Sequence, residues 1–308
     1  MKWILCGKND AAAAALEFLV DRGDAVWAIG SADDRGTIGW QRSLRDAARR
    51  AGVAFDQPER INAPAFVERL AGFGASALLS IQYDQILRGR LLSPIGCPCL
   101  NFHFALLPRH RGVAPIAWAL LEGDAQAGVT LHLMVEDIDA GDVLAQRALP
   151  IGPGDSAREV YDKVSEAAIA LFRESYPFPP DLLTRRLSQD ASAACYHRNG
   201  DIDFSRRRID WGRPAEELHR WLRAMIFPPM QYPETGCGAR ILAVSRVAGG
   251  LGERVEAPPG AIVARDDDAI EVAAGDRSVR ICGLVDPARP ALGTQQILES
   301  LEVGGRLA

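Results

Sequence analysis

Residues 2–30 read KWILCGKNDAAAAALEFLVDRGDAVWAIG, and their order sets the fold class. Lys2–Gly7 is a short apolar run with the length of a buried strand. Residues 10–22 follow with five consecutive alanines and then Leu16, Phe18 and Leu19, which suits a helix lying close against a sheet. Ala25–Gly30 reads as the next strand. The alternation continues outward. Helices are predicted over 41–51, 63–71, 115–121 and 156–175, and strands over 77–82, 97–103, 129–135 and 142–151. This pattern predicts the α/β class, with a doubly wound, mostly parallel sheet whose ligands gather at the carboxyl ends of strands.

The 308 residues are enough for two modest domains, and 48% apolar with 24% charged residues excludes wholesale disorder. No uninterrupted apolar run approaches the length of a membrane span, and the apolar part of MKWILCGKND is too short for a signal-peptide core; a cytoplasmic address is expected. The six cysteines are scattered and form no C-x-x-C, so reduced, mostly buried thiols are expected rather than a zinc or disulfide framework. A net charge of −5 does not describe a general nucleic-acid binder. The first strand ends in Cys6-Gly7-Lys8-Asn9-Asp10, which is neither G-x-G-x-x-G nor a Walker A loop. That disfavours a nicotinamide-dependent dehydrogenase and a P-loop NTPase.

The composition shifts near Tyr176, where Pro177, Pro179 and Pro180 break the long helix. Residues 198–204 (RNGDIDF) carry a turn signal between strand-like residues. Residues 214–225 read as a helix with Glu216 and Glu217 at its positive end and Leu218, Trp221, Leu222 and Met225 on one face. Short strands at 240–247, 260–265, 269–273 and 278–284 then predict a small OB-like β-barrel. The expected organisation is a catalytic domain over 1–176, a linker over 177–205 and an OB-like domain over 206–308.

Chemistry concentrates in residues 100–146, LNFHFALLPRHRGVAPIAWALLEGDAQAGVTLHLMVEDIDAGDVLAQ. Asn101 and His103 alternate at a strand end, so period 2 puts both on one face, with Phe102 opposite. An amide donor beside an imidazole can stabilise an oxyanion and move a proton. The loop holding Glu136, Asp137 and Asp139 can bring a carboxylate back over the sheet edge. These are parts for acyl transfer without a protein nucleophile, and no G-x-S-x-G elbow is present. His132, in mid-strand, reads as a structural hydrogen-bonding residue, and Trp118 as core.

With Asn101-Phe102-His103, Leu106-Leu107-Pro108-Arg109-His110-Arg111-Gly112, Gly128-Val129-Thr130-Leu131-His132 and Asp139-Ala140-Gly141 in this order, the chain resembles the folate-dependent formyltransferases. The likeness continues through Asp203-Phe204 and Arg208-Ile209-Asp210-Trp211 and covers nearly the whole chain. It implies N10-formyltetrahydrofolate as co-substrate, with no metal and no covalent enzyme intermediate. It further implies Asn101, His103 and Asp139 as the catalytic trio, Asp139 orienting His103 and raising its pKa. Gln82, Tyr83, Ile86, Leu87, Val135 and Asp137 would hold the pterin. Lys8, Arg109 and Arg111 are candidates for the acceptor side.

Three acceptor amines fit the resemblance: methionyl-tRNA, a nucleotide-linked amino sugar, and another small amine such as hydroxyornithine. A tRNA enzyme gains from a long basic loop after the second strand, because phosphate contacts dominate affinity. Here that segment is SADDRGTIGWQ, residues 31–41, short and opening with two acids. From Arg206 onward there are 14 arginines and 14 acids, so no basic domain is legible. The expectation is therefore an amino-sugar nucleotide, with nucleic acid excluded save tRNA under the alternative, no membrane partner, and a homodimer possible. A formyltetrahydrofolate hydrolase, which uses the same trio with water as acceptor, is the remaining alternative.

Overall fold

A computed structural model of the chain describes residues 1–178 and 183–308, which divide into two compact units. The first comprises residues 1–115, 128–149 and 163–198; the second comprises 116–127, 150–162 and 199–308. Pro179 and Pro180, expected to end the long helix, lie outside the described residues.

In chain order the first part runs β1 Lys2–Gly7, α1 Asn9–Asp21, β2 Ala25–Gly30, α2 Leu44–Ala51, β3 Ala54–Asp56, α3 Pro64–Phe73, β4 Ala77–Ile81, α4 Gly89–Ile95 and β5 Cys99–His103. There follow β6 Arg111–Gly112, α5 Pro115–Glu122, β7 Gln126–Leu133, β8 Val143–Pro150, α6 Ala157–Ser175 and the two-residue β9 Tyr196–His197. The seven-stranded sheet has the order β3-β2-β1-β4-β5-β7-β8. Its pairs from β3 to β5 are parallel, and β5 pairs antiparallel with β7.

Local chemistry explains the boundaries. All five alanines of α1 are buried, so small side chains let this helix approach the sheet closely. The helix expected from Gln41 begins at Leu44, because the Ser43 hydroxyl accepts from Asp46 N and caps it there; Gly52 in the left-handed region ends it. Apolar residues cover both faces of the sheet. Ile4, Cys6, Trp27, Ile29 and Leu78 pack with Phe66, Leu70 and Leu91 from α3 and α4. Trp3 and Phe102, of opposite strand parity, meet Phe172 of α6 edge-on at 6.3 and 6.2 Å.

The second unit contains α7 Ala215–Met225 and β10 Glu234–Cys237, β11 Arg240–Arg254, β12 Ile262–Arg265, β13 Ile270–Ala273 and β14 Arg277–Val285, followed by α8 Thr294–Glu299. The strands form one antiparallel sheet in the order β10-β11-β14-β13-β12, a curled OB-like half-barrel. The strand expected to stop at Val247 runs on to Arg254, through register shifts that bend it around a core of Leu218, Leu222, Val244, Val272 and Ile281. Strand-like pairing was expected on both sides of the 198–204 turn. Instead Tyr196–His197 pairs in parallel with Arg111–Gly112, and residues 201–204 form no strand.

Candidate active site

The site is built on one face of the β5–β7 pair. Asn101 lies directly opposite His132, and His103 opposite Thr130. Direct cross-strand partners share a face, so four polar side chains are gathered there. Thr130 holds the next loop down: its hydroxyl donates to Ala105 O at 2.6 Å and accepts from Leu107 N at 3.1 Å and Gln146 Nε2 at 2.9 Å. The chain then passes Arg111–Gly112, where Gly112 N donates to Asp139 Oδ2 at 2.9 Å. Gly112 has φ +90°, a conformation open to glycine, and a Cβ there would collide with His197 O.

Asp139 is the hub. Asn101 Nδ2 is 3.5 Å from Asp139 Oδ1, His132 Nε2 is 3.4 Å from the same oxygen, and His103 Nδ1 is 3.4 Å from Oδ2. Burial of Asp139 favours its neutral form. His103, His132 and the Gly112 amide outweigh that and lower its pKa to about 2, so it is a carboxylate at neutral pH. Gly141 completes the turn; a Cβ there would collide with Leu133 O, which accounts for the glycine of Asp139-Ala140-Gly141.

The acceptors fix the imidazole protons. His103 Nε2 lies 2.7 Å from the His110 carbonyl oxygen, so Nε2 carries hydrogen and Nδ1, facing Asp139, is where a second proton adds. Burial lowers the His103 pKa, and the raising effect of Asp139 does not cancel it. Asp139 does act in the expected direction, raising the His103 pKa, but desolvation outweighs it and His103 rests neutral. His132 Nδ1 donates to Leu133 O at 2.8 Å, which leaves Nε2 to accept from Asn101 Nδ2 at 3.1 Å and orients the amide.

A cavity of about 220 Å³ opens beside the trio. Tyr83, Ile86, Leu87 and Val135 line it, with Asn101 and Asp139; so do Ser80, Asp84, Met134 and Ile138, which sequence reasoning did not single out. The Tyr83 hydroxyl is buried without a hydrogen-bonding partner, and burial pushes its pKa up, so it stays a neutral donor. Gln82 and Asp137 are not among the lining residues, and Asp137 is exposed. His103, 7% exposed, stands behind Asp139 rather than in the wall.

The three basic candidates stand apart from the cavity. Lys8 Nζ pairs with Asp33 at 3.0 Å. Arg109 is not in the wall. Arg111 donates through Nε and Nη2 to Gln189 Oε1 at 3.1 and 2.7 Å. Gln189 in turn donates to Asp139 O at 2.8 Å and Gly141 O at 2.7 Å. Arg111 thus braces the Asp139 turn through Gln189, a residue in no motif. Similarly, Asn62 grips the loop on the other side of the cavity: its Nδ2 donates to Ile86 O at 2.7 Å and its Oδ1 accepts from Arg88 N at 3.0 Å.

An amide, a neutral imidazole and a carboxylate, gathered at the end of a central strand with no nucleophile among them, are parts that suit a group-transfer enzyme working on an activated acyl unit. The chain belongs to the formyl transferase family. The family's formyl transferase model matches residues 21–175, and its C-terminal domain model matches residues 201–302. The activity is folate-dependent formyl transfer. A methionyl-tRNA formyltransferase of Geobacillus thermodenitrificans is 30% identical over 99% of this chain and 95% of its own. One of Bacillus velezensis is 29% identical over 92% of this chain and 90% of its own. Among solved structures, the sugar 3N-formyl transferase WlaRD, in the presence of dTDP and 5-N-formyl-THF, superposes with a TM-score of 0.70 at 21% identity, covering 91% of this chain and 97% of that one. An N-formyltransferase from Helicobacter canadensis, in complex with folinic acid and dTDP-3-aminofucose, gives 0.70 at 20% identity, covering 91% and 99%. No helix among the described residues is long and apolar enough to cross a membrane.

Proposed function

We propose that the chain transfers the formyl group of N10-formyltetrahydrofolate to a primary amine on a nucleotide-linked sugar. The 220 Å³ cavity matches the bicyclic head of a folate better than a whole folate, with the remainder extending past Ile86 and Val135, both exposed at the rim. The unpartnered Tyr83 hydroxyl suits the polar edge of such a ring. When bound, the folate supplies an activated formyl group. Asn101 lies at the wall beside Asp139; with one Nδ2 hydrogen on His132, its other, which makes only a 3.5 Å contact with Asp139, would turn to the negative charge that develops on the formyl oxygen. The Asp139–His103 pair takes up the proton that the amine releases. Asp139 meets the cavity; His103 Nδ1 would hold the proton, where the carboxylate balances the imidazolium, and return it to N10 of the folate as the bond from N10 to the formyl carbon breaks.

The observation that carries the acceptor class is the segment between β2 and α2. It is a short turn held to itself: Asp34 accepts from Gly36 N and Arg45 N, Asp46 accepts from Thr37 N, and Asp33 pairs with Lys8. With Asp33 and Asp34 against Arg35 and Arg42 it carries no net positive charge, so it offers no basic arm for a phosphate backbone. A second reading, methionyl-tRNA as acceptor, is supported by the relatives that match along the whole chain. The test is mass spectrometry after incubation with N10-formyltetrahydrofolate and a panel of nucleotide-linked 3-amino and 4-amino sugars, hydroxyornithine and charged methionyl-tRNA. Formylation of an amino sugar supports the first reading. Formylation of methionyl-tRNA alone replaces it with the second, and folate consumed with no amine gaining mass replaces both with hydrolysis.

A further inference from the structure

A second side-chain cluster sits beside the site, outside the wall of its cavity. His110 Nδ1 is 3.0 Å from His197 Nε2, and Cys195 Sγ is 3.8 Å from each of these nitrogens. A point equidistant from the three atoms lies about 2.1 Å from each, against Zn–N lengths of about 2.0–2.1 Å and Zn–S of about 2.3 Å. The backbone already fixes the arrangement. Arg111 N donates to Cys195 O and Val113 N to His197 O, both at 3.0 Å, within the parallel β6–β9 pair. His110 N also donates to Cys195 Sγ at 3.0 Å, the contact by which a backbone amide supports a metal-bound thiolate. His110 and His197 are 3% and 7% exposed, while Cys195 is half-buried, which leaves the sulfur side open for an ion to enter.

We propose that His110, Cys195 and His197 bind a zinc ion, with a water in the fourth position. Two imidazoles and a thiolate are borderline-to-soft donors, a set that takes zinc and rejects magnesium or calcium. The two nitrogens now face each other across a hydrogen bond, with ring centroids 5.3 Å apart. On binding, both rings turn towards the sulfur. The proton in that hydrogen bond shifts to the other nitrogen of its own imidazole, and Cys195 releases its thiol proton to solvent, so one proton leaves per ion bound. The ion would tie residue 110 to the 195–197 segment, and the His110 carbonyl is the acceptor that holds His103 Nε2.

The test uses the full-length protein, stripped with chelator and titrated with Co²⁺ and then Zn²⁺. One equivalent of Co²⁺ is expected to produce thiolate-to-metal charge-transfer absorption and the strong visible bands of four-coordinate cobalt, both removed by Zn²⁺. Zn²⁺ is also expected to raise the thermal midpoint. Cys195→Ser should lose the charge-transfer band and bind Zn²⁺ at least tenfold more weakly, and His197→Gln should also bind more weakly, while Cys282→Ser behaves as wild type. The proposal is overturned if wild type binds no cobalt, if the bound cobalt lacks a thiolate band, or if Cys195→Ser binds Zn²⁺ as tightly as wild type. Should Cys195→Ser not fold, the wild-type cobalt spectrum and its response to Zn²⁺ decide alone.

Discussion

Replacing Asp139 with asparagine removes the charge at the centre of the site while keeping the shape of the side chain. In the native chain the carboxyl is held at about 2, against an ordinary value of 3.8. At about 1.4 kcal/mol per pH unit, this difference contributes about 2 kcal/mol to native stability at neutral pH. The folded-state value is the depressed one. The contribution is therefore complete above about pH 5 and is lost as pH falls towards 2, with about half remaining at pH 3. The substituted amide cannot ionise and resembles the protonated acid. Urea unfolding followed by the fluorescence of the buried Trp3 and Trp27 reads the unit that carries the site. At pH 7 Asp139→Asn should be about 2 kcal/mol less stable than wild type, and the gap should narrow to about 1 kcal/mol at pH 3. A gap that stays constant from pH 7 to pH 3 would refute the assignment of Asp139 as an ionised hub, whatever the variant's activity.

Three other substitutions separate chemistry from packing. His103→Ala should lower kcat by about 10²- to 10⁴-fold with a near-native thermal midpoint, the range for losing a positioned acid–base group; near-normal turnover would remove His103 from the mechanism. Tyr83→Phe deletes a hydroxyl that has no protein partner, so its stability should stay within about 0.5 kcal/mol of wild type. Folate affinity should nevertheless fall by about 2- to 10-fold if the hydroxyl meets the ligand, measured as the folate Kd. Gly141→Ala places a methyl against Leu133 O and should cost about 1–3 kcal/mol in urea unfolding while displacing Asp139, with kcat falling in parallel.

Strands β1, β2, β4 and β5 of the parallel part were legible because each is an apolar run next to a helix with its own start and stop. Ala25–Gly30 falls where the sequence puts it, and α2 is displaced only by the Ser43 cap. Short elements were missed where pairing rather than composition creates them. β3 Ala54–Asp56 and β6 Arg111–Gly112 are two or three residues long and owe their existence to a neighbour. That Asn101 and His103 share a face was legible from their alternation; the loop of Glu136, Asp137 and Asp139 left three acids open, and only the family resemblance pointed to Asp139. Gln189 and Asn62 were not legible, because an amide that braces a distant loop leaves no periodic signal in its own segment. For a related reason sequence shows that a cation exists at Lys8 or Arg111, not that Asp33 or Gln189 already engages it.

The single antiparallel strand is what turns this sheet end into a site. Had β7 run parallel to β5, its loop would leave from the same end as residue 103 and its mid-strand side chains would have no reason to oppose Asn101 in this register. Running antiparallel, β7 sets His132 against Asn101 and Thr130 against His103. It then ends beside the start of β5, where Leu133 N donates to Asp142 O and β8 begins, and the residues between fold back across the sheet face far enough for Asp139 to reach His103 and Gly112. That return path carries Met134, Val135 and Ile138 along the cavity and delivers Asp139 between the two histidines. The motif Gly128-Val129-Thr130-Leu131-His132 is therefore a scaffold for the trio: Thr130 fixes the loop after His103, and His132 fixes the amide of Asn101. If that is its role, His132→Gln should lower kcat chiefly through Asn101, and its effect should be largely absent in an Asn101→Ala background; additive losses in the double-mutant cycle would show that His132 acts on its own.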